Sequence, residues 1–453
     1  MKKTYILRFI SFCIIFCLLF SLVSQVLQDK RVVGEYNPTT KVRGFYHEEK
    51  DSLDFVFVGS SQLYAHIAPA VLWRDYGITS YDFAANEQPL WVSYFYIKEA
   101  LKTQKPKAIV LEVFTIYGDD YEEEGVNHIN LDDLPLSINK LRAIYHSVPK
   151  ELRYSYYFSL AKYHSTWSAL DKEKYLATFS DGPDPMKGYS PFVFQKEYEN
   201  TAKTEIVNQK EEEPIPERAT EWLDKIVELT KEEGVDLIFL KTPNGNEERQ
   251  KLYNNMAHYA AEKEIPFLNL NTVLDGEAHI NIIQAENVTK AVGEYLTNMY
   301  EVLQKAERTE AVQESFEYSA ELFQSYYDKC ELLSVNNFEQ YWEFAKKTQY
   351  LTILCKSYSE NDSTGKIIVM DGGDTIVEEI VTIEQSEMIE KTLDIQGKTL
   401  QLSAGTDTSI LIDGLDYSMH TKGYNLVLYD KVLGEFVEMV SFDECDNMNM
   451  KRK

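Results

Sequence analysis

The chain is short of cysteine and of positive charge. Its 453 residues include five Cys, at 13, 17, 330, 355 and 445. No two form a CxxC pair and none stands at a Cys/His zinc spacing, which argues against a structural zinc site. Lys and Arg total 46 against 73 Asp and Glu, a formal charge of −27. A phosphate backbone would be repelled by such a surface, so nucleic acid is not an expected partner. There is no Walker loop, no G-x-G-x-x-G and no H-E-x-x-H. Nucleotide and zinc-protease chemistry therefore lack support, and neither a cofactor nor a metal is expected. Internal repeats and low-complexity linkers are absent too. With 44% hydrophobic and 26% charged residues, collagen-like and disordered readings are out. What the chain does have is tyrosine, 31 of them. An acidic, Tyr-rich, Cys-poor composition suits a domain outside a bacterial cell.

One long apolar run stands at the start. Phe9 to Leu27 is 19 residues without a charge, preceded by Lys2, Lys3 and Arg8. At 1.5 Å per residue it can cross a hydrocarbon core of about 30 Å. Positive charge only before it places the tail in the cytoplasm and the remaining chain outside. A cleaved signal peptide is the alternative; its apolar core is usually shorter, and no clear A-x-A site follows. The expected location is the cell membrane, single-pass. Of the five Cys, 13 and 17 fall inside this run. The three beyond it are an odd number, so at least one is unpaired or pairs between chains.

Residues 29–50 read as an extended or irregular lead-in. Leu53–Val58 is then a short apolar run ending at Gly59, the mark of a buried parallel strand. A helix near Pro69–Tyr76, a strand near Ile78–Phe83, a helix over Trp91–Thr103 and a strand at Ala108–Val113 follow. This alternation predicts a parallel α/β sheet. Residues 117–215 break the rhythm with acidic runs, aromatics and Pro, and read as a helical insertion. The rhythm resumes with helix Arg218–Glu233, strand Val235–Leu240, helix Glu247–Lys263, strand Pro266–Leu270 and helix Ala285–Leu303. Four segments are expected: tail and anchor (1–30), an α/β domain (31–305), a helical linker (306–333) and a smaller β-rich domain (334–453). In the last, glycines at turn-like spacing punctuate short β-type segments after a helix at Phe338–Lys347.

Three stretches could carry chemistry. In Val58-Gly59-Ser60-Ser61-Gln62 a serine follows a buried strand, at the sheet edge where α/β folds bind ligands. A common Gly-Ser-Ser turn is the plain alternative. Leu274-Asp275-Gly276-Glu277-Ala278-His279 precedes the last α/β helix and offers an imidazole to take the serine proton and carboxylates to orient it. Tyr81-Asp82-Phe83-Ala84-Ala85-Asn86 follows the second strand; the Ala85 amide and Asn86 side chain could stabilise an oxyanion. A polar loop capping the next helix is as good a reading of it. Glu122-Glu123-Glu124 and Glu211-Glu212-Glu213 are charge runs that usually mark solvated faces.

Together these stretches resemble the SGNH/GDSL hydrolase-like superfamily, most closely its membrane-anchored DltD-like and alginate O-acetylase-like branch. The matching segments are DFVFVGSSQLYAHIAP, the block from YDFAANEQ to AIVLEVF, VDLIFLKTP, and DGEAHINIIQAENVTKAVGEYL. The resemblance implies a flavodoxin-like three-layer fold and a serine esterase or acyltransferase site. It places the nucleophile at Ser61, with Ser60 at the family's Asp position, the base at His279 and the orienting acid at Asp275. The chain departs from the family in three places. Asp275 and His279 have three residues between them where the family has two, which leaves Glu277, and with it Ser60, as alternatives. Ala84 or Ala85 replaces a Gly. Asp82 stands where Asn is common. Anchored members often work beside a membrane-bound O-acyltransferase on surface polymers.

The tail, from LQLSAG to VSFD, is similar to the interleukin-like EMT inducer (FAM3-type) domain. The similarity rests on Ser403-Ala404-Gly405, Ile410 to Gly414, Gly423-Tyr424-Asn425 and Phe442-Asp443. It implies a compact β-rich carbohydrate-binding or interaction module.

Two functions follow. One is an anchored enzyme that adds acyl groups to a cell-surface glycopolymer, or removes them with the same residues. The other is a catalytically inactive scaffold that binds polymer or a membrane acyltransferase.

Overall fold

The computed structural model describes residues 2–28, 39–116, 124–179, 182–359, 362–382, 388–395, 397–420 and 422–453. Glu122 and Glu123 lie outside them. The chain divides into two compact units: 1–192 with 196–323, and 324–453 with 193–195. The division falls inside one long helix, Glu310–Leu332.

The first helix is Lys2–Leu27. Its segment Thr4–Leu27, with a mean hydropathy of 2.6, is long and apolar enough to cross a membrane; a signal sequence has the same features. Part of the lead-in is helical, contrary to the irregular reading: Thr39–Phe45 forms two turns. Seven residues are too few for periodicity to reveal. Tertiary packing holds them, since Val42 and Phe45 enter the core and Phe45 stacks on Phe83 with centroids 4.2 Å apart.

The first unit is a parallel sheet of β1 (Phe55–Val58), β2 (Ser80–Asp82), β3 (Ala108–Glu112), β4 (Asp236–Lys241) and β5 (Phe267–Asn269). Its order is β2-β1-β3-β4-β5, with each neighbouring pair parallel. That is the flavodoxin-like doubly wound order. The inner strands are buried on both faces, which is why they read as continuous apolar runs. Val56, Val58, Ile109, Leu111 and Phe239 share a core with Trp91, Phe95, Trp222 and Ile226, from helices Leu90–Ala100 and Glu217–Glu233. Helices Ser61–His66 and Pro69–Tyr76 pack against Ile282–Met299. The order reverses between β1 and β3, and ligands bind such sheets in the crevice at that point, beyond the strand carboxyl ends.

The insertion holds helices that include Glu124–Leu131, Ile138–Ser147 and Arg153–Tyr157. It returns along β2, where the Asp82 amide donates to Lys187 O at 2.9 Å. Gly188 has φ +90°, and a Cβ there would stand 2.2 Å from Asp82 O, so only glycine lets the two backbones approach.

The second unit is antiparallel. Its strands are β6 (Leu351–Lys356), β7 (Thr364–Asp371), β8 (Asp374–Thr382), β9 (Ile389–Ile395), β10 (Lys398–Ala404), β11 (Thr408–Ile412), β12 (Leu415–Asp416), β13 (Gly423–Asp430), β14 (Glu435–Asp443) and β15 (Asn449–Arg452). They form sheets of order β15-β14-β13-β6-β7-β8 and β12-β11-β10-β9. Alternation explains the layers. Leu351, Ile353 and Cys355 of β6 meet Leu400, Leu402 and Ile410 of the smaller sheet. Leu354 points the other way, to Tyr341 and Ala345 on helix Phe338–Lys347.

Candidate active site at the sheet edge

β1 ends at Gly59, where an added Cβ would lie 2.7 Å from Glu112 Cβ. Glycine is what lets the end of β1 approach β3 so closely. Ser60 caps the helix Ser61–His66: its hydroxyl accepts from the Gln62 amide at 3.3 Å and donates to Glu112 Oε2 at 3.2 Å. It is fully buried, and both bonds give it a structural part. Ser61 is the first helical residue, and its hydroxyl interacts with the Tyr64 phenol. Burial, more than any neighbour, pushes that phenol up to about 12.

Gln62, the residue after Ser61, belongs to a buried polar network. Lys241 Nζ, at the end of β4, faces Glu112 Oε1 at 3.9 Å and donates to Gln62 Oε1 at 3.0 Å. Burial pulls the Lys241 ammonium down to about 7 and pushes the Glu112 carboxyl up to about 7. Gln62 Nε2 donates to Pro243 O at 3.1 Å and to Glu277 O at 3.5 Å. The residue next to Ser61 thus ties the loop carrying His279 to the ends of β1 and β4.

His279 is half-buried and stacks on Phe192, with centroids 5.0 Å apart and planes at 13°. Burial first, then the charge of Lys41, holds its pKa below the usual imidazole value. The base candidate is therefore kept neutral near pH 7, as proton abstraction needs. The two carboxylates offered to orient it have other partners. Asp275 pairs with Lys203 at 3.3 Å and accepts from the Gly276 amide at 2.9 Å, and Glu277 pairs with Lys196. Among the described residues no hydrogen bond or ion pair joins either carboxylate to His279.

At the oxyanion block, the Ala85 amide already donates to Gly59 O at 3.4 Å. Asn86 is half-buried, and its carbonyl accepts from Asn130 Nδ2 at 2.8 Å. Its side-chain amide has no hydrogen bond among the described residues.

Several buried residues here carry no catalytic role in the sequence reading. Lys41 is 1% exposed, sits 3.5 Å from the Tyr64 ring centroid and donates to Ser190 Oγ. Burial draws it down to about 7, against the opposing pull of Asp184 and Asp82. Asp82 is fully buried with no hydrogen bond to its carboxylate among the described residues, and burial raises its pKa well above the usual range. His66 is likewise buried, next to the Glu277 backbone; burial, then Lys241 and His279, hold it well below 6.5. Nothing near Lys41 in the sequence marks it, because a lone lysine in a seven-residue helix has no pattern to break. Lys187, in the insertion, is buried too, paired with Glu48 at 2.8 Å. Among the described residues no group of three or more His, Cys, Asp or Glu could hold a metal ion.

No family model matches the chain, and no curated protein matches it. Among solved structures, it is similar to one described as a lipolytic protein of the G-D-S-L family from Desulfitobacterium hafniense DCB-2. That match has 13% identity, covers 54% of this chain and 98% of the other, and has a TM-score of 0.27. A likeness at that level carries no argument about the site, and the topology above rests on this chain's own strand pairings.

Proposed function

We propose that the protein is a membrane-anchored, extracytoplasmic serine acyltransferase or esterase acting on a cell-surface glycopolymer, alongside a membrane-bound O-acyltransferase. One observation carries this reading: Ser61 opens a helix at the switch point of the sheet, and Gln62 beside it ties down the loop that holds a neutral His279.

In the proposed mechanism the Ser61 oxygen attacks an acyl carbonyl while a ring nitrogen of His279 takes its proton. The carbonyl electrons move onto oxygen, which the Asn86 side-chain amide, and the Ala85 amide once released from Gly59 O, stabilise. The tetrahedral adduct collapses, and the leaving oxygen takes the proton from His279. A sugar hydroxyl or water then attacks the acyl-serine, giving up its proton to His279, and Ser61 recovers it as it leaves. Asp275 orients the imidazole after exchanging Lys203 for His279. The β-rich unit, which resembles the FAM3-type module in sequence, would hold the polymer.

The inactive-scaffold reading has its own support: Asp275 and Glu277 are held by lysines, and the Ala85 amide is engaged. p-Nitrophenyl acetate turnover by the full chain separates the two. Under the enzyme reading, Ser61→Ala and His279→Ala each abolish turnover above background. Equal rates for all three proteins would leave the scaffold.

A further inference from the structure

Away from the sheet edge, a cavity of about 770 Å³ lies between the C-terminal half of the helix Lys2–Leu27 and the insertion. Small-molecule sites span about 300–1,000 Å³. Its apolar part is lined by Phe16 and Phe20 from the helix and by Leu141 and Ile144 from the insertion; Ser24, Arg43, Lys140, Asp132 and Asp133 also line it. Ser24 is 8% exposed, and its hydroxyl has no hydrogen-bond partner among the described residues. Arg43 pairs with Asp133 at 2.9 Å, and Lys140 donates to Asp132 O at 2.8 Å.

The lining is graded along the helix. Ser24 stands about 12 Å beyond Phe16, toward the end where the span would leave the membrane. The Thr166 hydroxyl donates to Leu27 O, which fixes the insertion at that end. Leu136 and Phe158, also in the lining, are 85% and 57% exposed, and the neighbouring Ile138 is 69% exposed. Clustered apolar exposure of this kind marks a surface that meets a partner or a membrane.

We propose that the cavity binds one phospholipid. An acyl chain lies along Phe16, Phe20, Leu141 and Ile144, the Ser24 hydroxyl donates to an ester oxygen, and the phosphate meets Arg43 and Lys140. Leu136, Ile138 and Phe158 sit in the outer leaflet. The occupant follows from the walls, because a spanning helix with no part of its apolar window buried has lipid as its solvent. The proposal rests on Thr4–Leu27 spanning the membrane and is independent of the catalytic reading.

The test places the full chain in phosphatidylcholine and phosphatidylglycerol nanodiscs doped with a photoactivatable-acyl phosphatidylcholine. Labelled peptides are mapped after irradiation. Label is expected in both 16–28 and 134–159, falling about tenfold in Leu141→Trp, a loss of about 1.4 kcal/mol in binding. Leu141 is 42% exposed, so the larger side chain can be accommodated; Ile144→Phe fills the same space from another position. Leu303→Trp, at an exposed site outside the cavity lining, should label as the unaltered chain does. Label confined to the helix, unchanged label in both filling variants, or protection of the cavity by a second copy seen as a cross-linked dimer would each overturn the site. Retention of the cellular protein in alkali-washed membranes is read first. A chain that leaves the membrane overturns the span and the site together; a retained but unlabelled chain overturns the site alone.

Discussion

The two units bury charge in opposite ways. In the parallel unit, Lys41, Asp82, Glu112 and Lys241 are all at most 1% exposed and gather at the carboxyl edge of one sheet. In the antiparallel unit, Lys356 is as deeply buried, yet its partners Asp362 at 3.1 Å and Glu444 at 3.2 Å are 41% and 11% exposed. Water reaches the second cluster and not the first. The first arrangement costs stability, because desolvating two ions can outweigh their attraction. The difference teaches where this chain keeps groups that folding alone would not favour: at the edge where sheets of this order bind ligands.

The sharpest way to break the comparison is turnover. Ser61→Ala should lower p-nitrophenyl acetate hydrolysis by on the order of 10⁴-fold. Ser60→Ala should retain most turnover and lower stability by about 1 kcal/mol as a lost cap. If Ser60 proved the essential hydroxyl, the edge would be built around the wrong serine.

Stability comes next. Lys241→Met alone should cost about 3–5 kcal/mol, because the buried Glu112 loses its cation and keeps only hydrogen bonds, while Lys241→Met with Glu112→Leu should recover most of the loss. Lys356→Met should cost only about 1 kcal/mol, since its partners can turn to water. Denaturant melts of the full chain, followed by fluorescence and circular dichroism, read all three. Equal costs for the two lysines would erase the contrast.

A smaller effect is expected at Gly59. The 2.7 Å approach to Glu112 Cβ means that Gly59→Ala must move β1 or β3, at about 1–3 kcal/mol. It should also reduce turnover, because the same movement displaces Ser61.

The pH dependence is gentlest. His66 and His279 have folded pKa values below 6.5, so below that pH the unfolded chain binds more protons than the folded one. Their stability contribution is present above about 6.5 and is lost as pH falls through the folded values, by at most about 1.4 kcal/mol per pH unit for each group. His66→Leu should flatten the fall in melting temperature below about pH 6.5. An active enzyme should keep its acid limb below 6.5, where His279 takes up its proton. A limb above that value would count against His279 as the base.

Much of the fold is legible in the chain. The strand at Phe55–Val58, the helix Pro69–Tyr76 and the helix Glu217–Glu233 stand within about two residues of their sequence boundaries. A buried run and an amphipathic period each leave a direct mark. Helices Thr39–Phe45 and Ser61–His66 do not, because neither is long enough to show a period. The candidate site is legible in the same uneven way. Ser61 and His279 stand out by their setting, whereas Lys41 and His66 become notable only through burial. The lysines that hold Asp275 and Glu277 come from a distant part of the insertion, and no local pattern announces them.

The sequence by itself determined the apolar first helix, the alternation that makes a parallel sheet and the change to short β segments in the tail. These follow from hydrophobic spacing along the chain, which is a local property. Only the tertiary structure decided that Gln62 bridges β4 and the His279 loop, that Glu112 and Lys241 share a closed space, and that the helix Lys2–Leu27 and the insertion enclose a cavity. Those outcomes depend on which distant residues exclude water from one another, and that is settled only when the strands and helices pack.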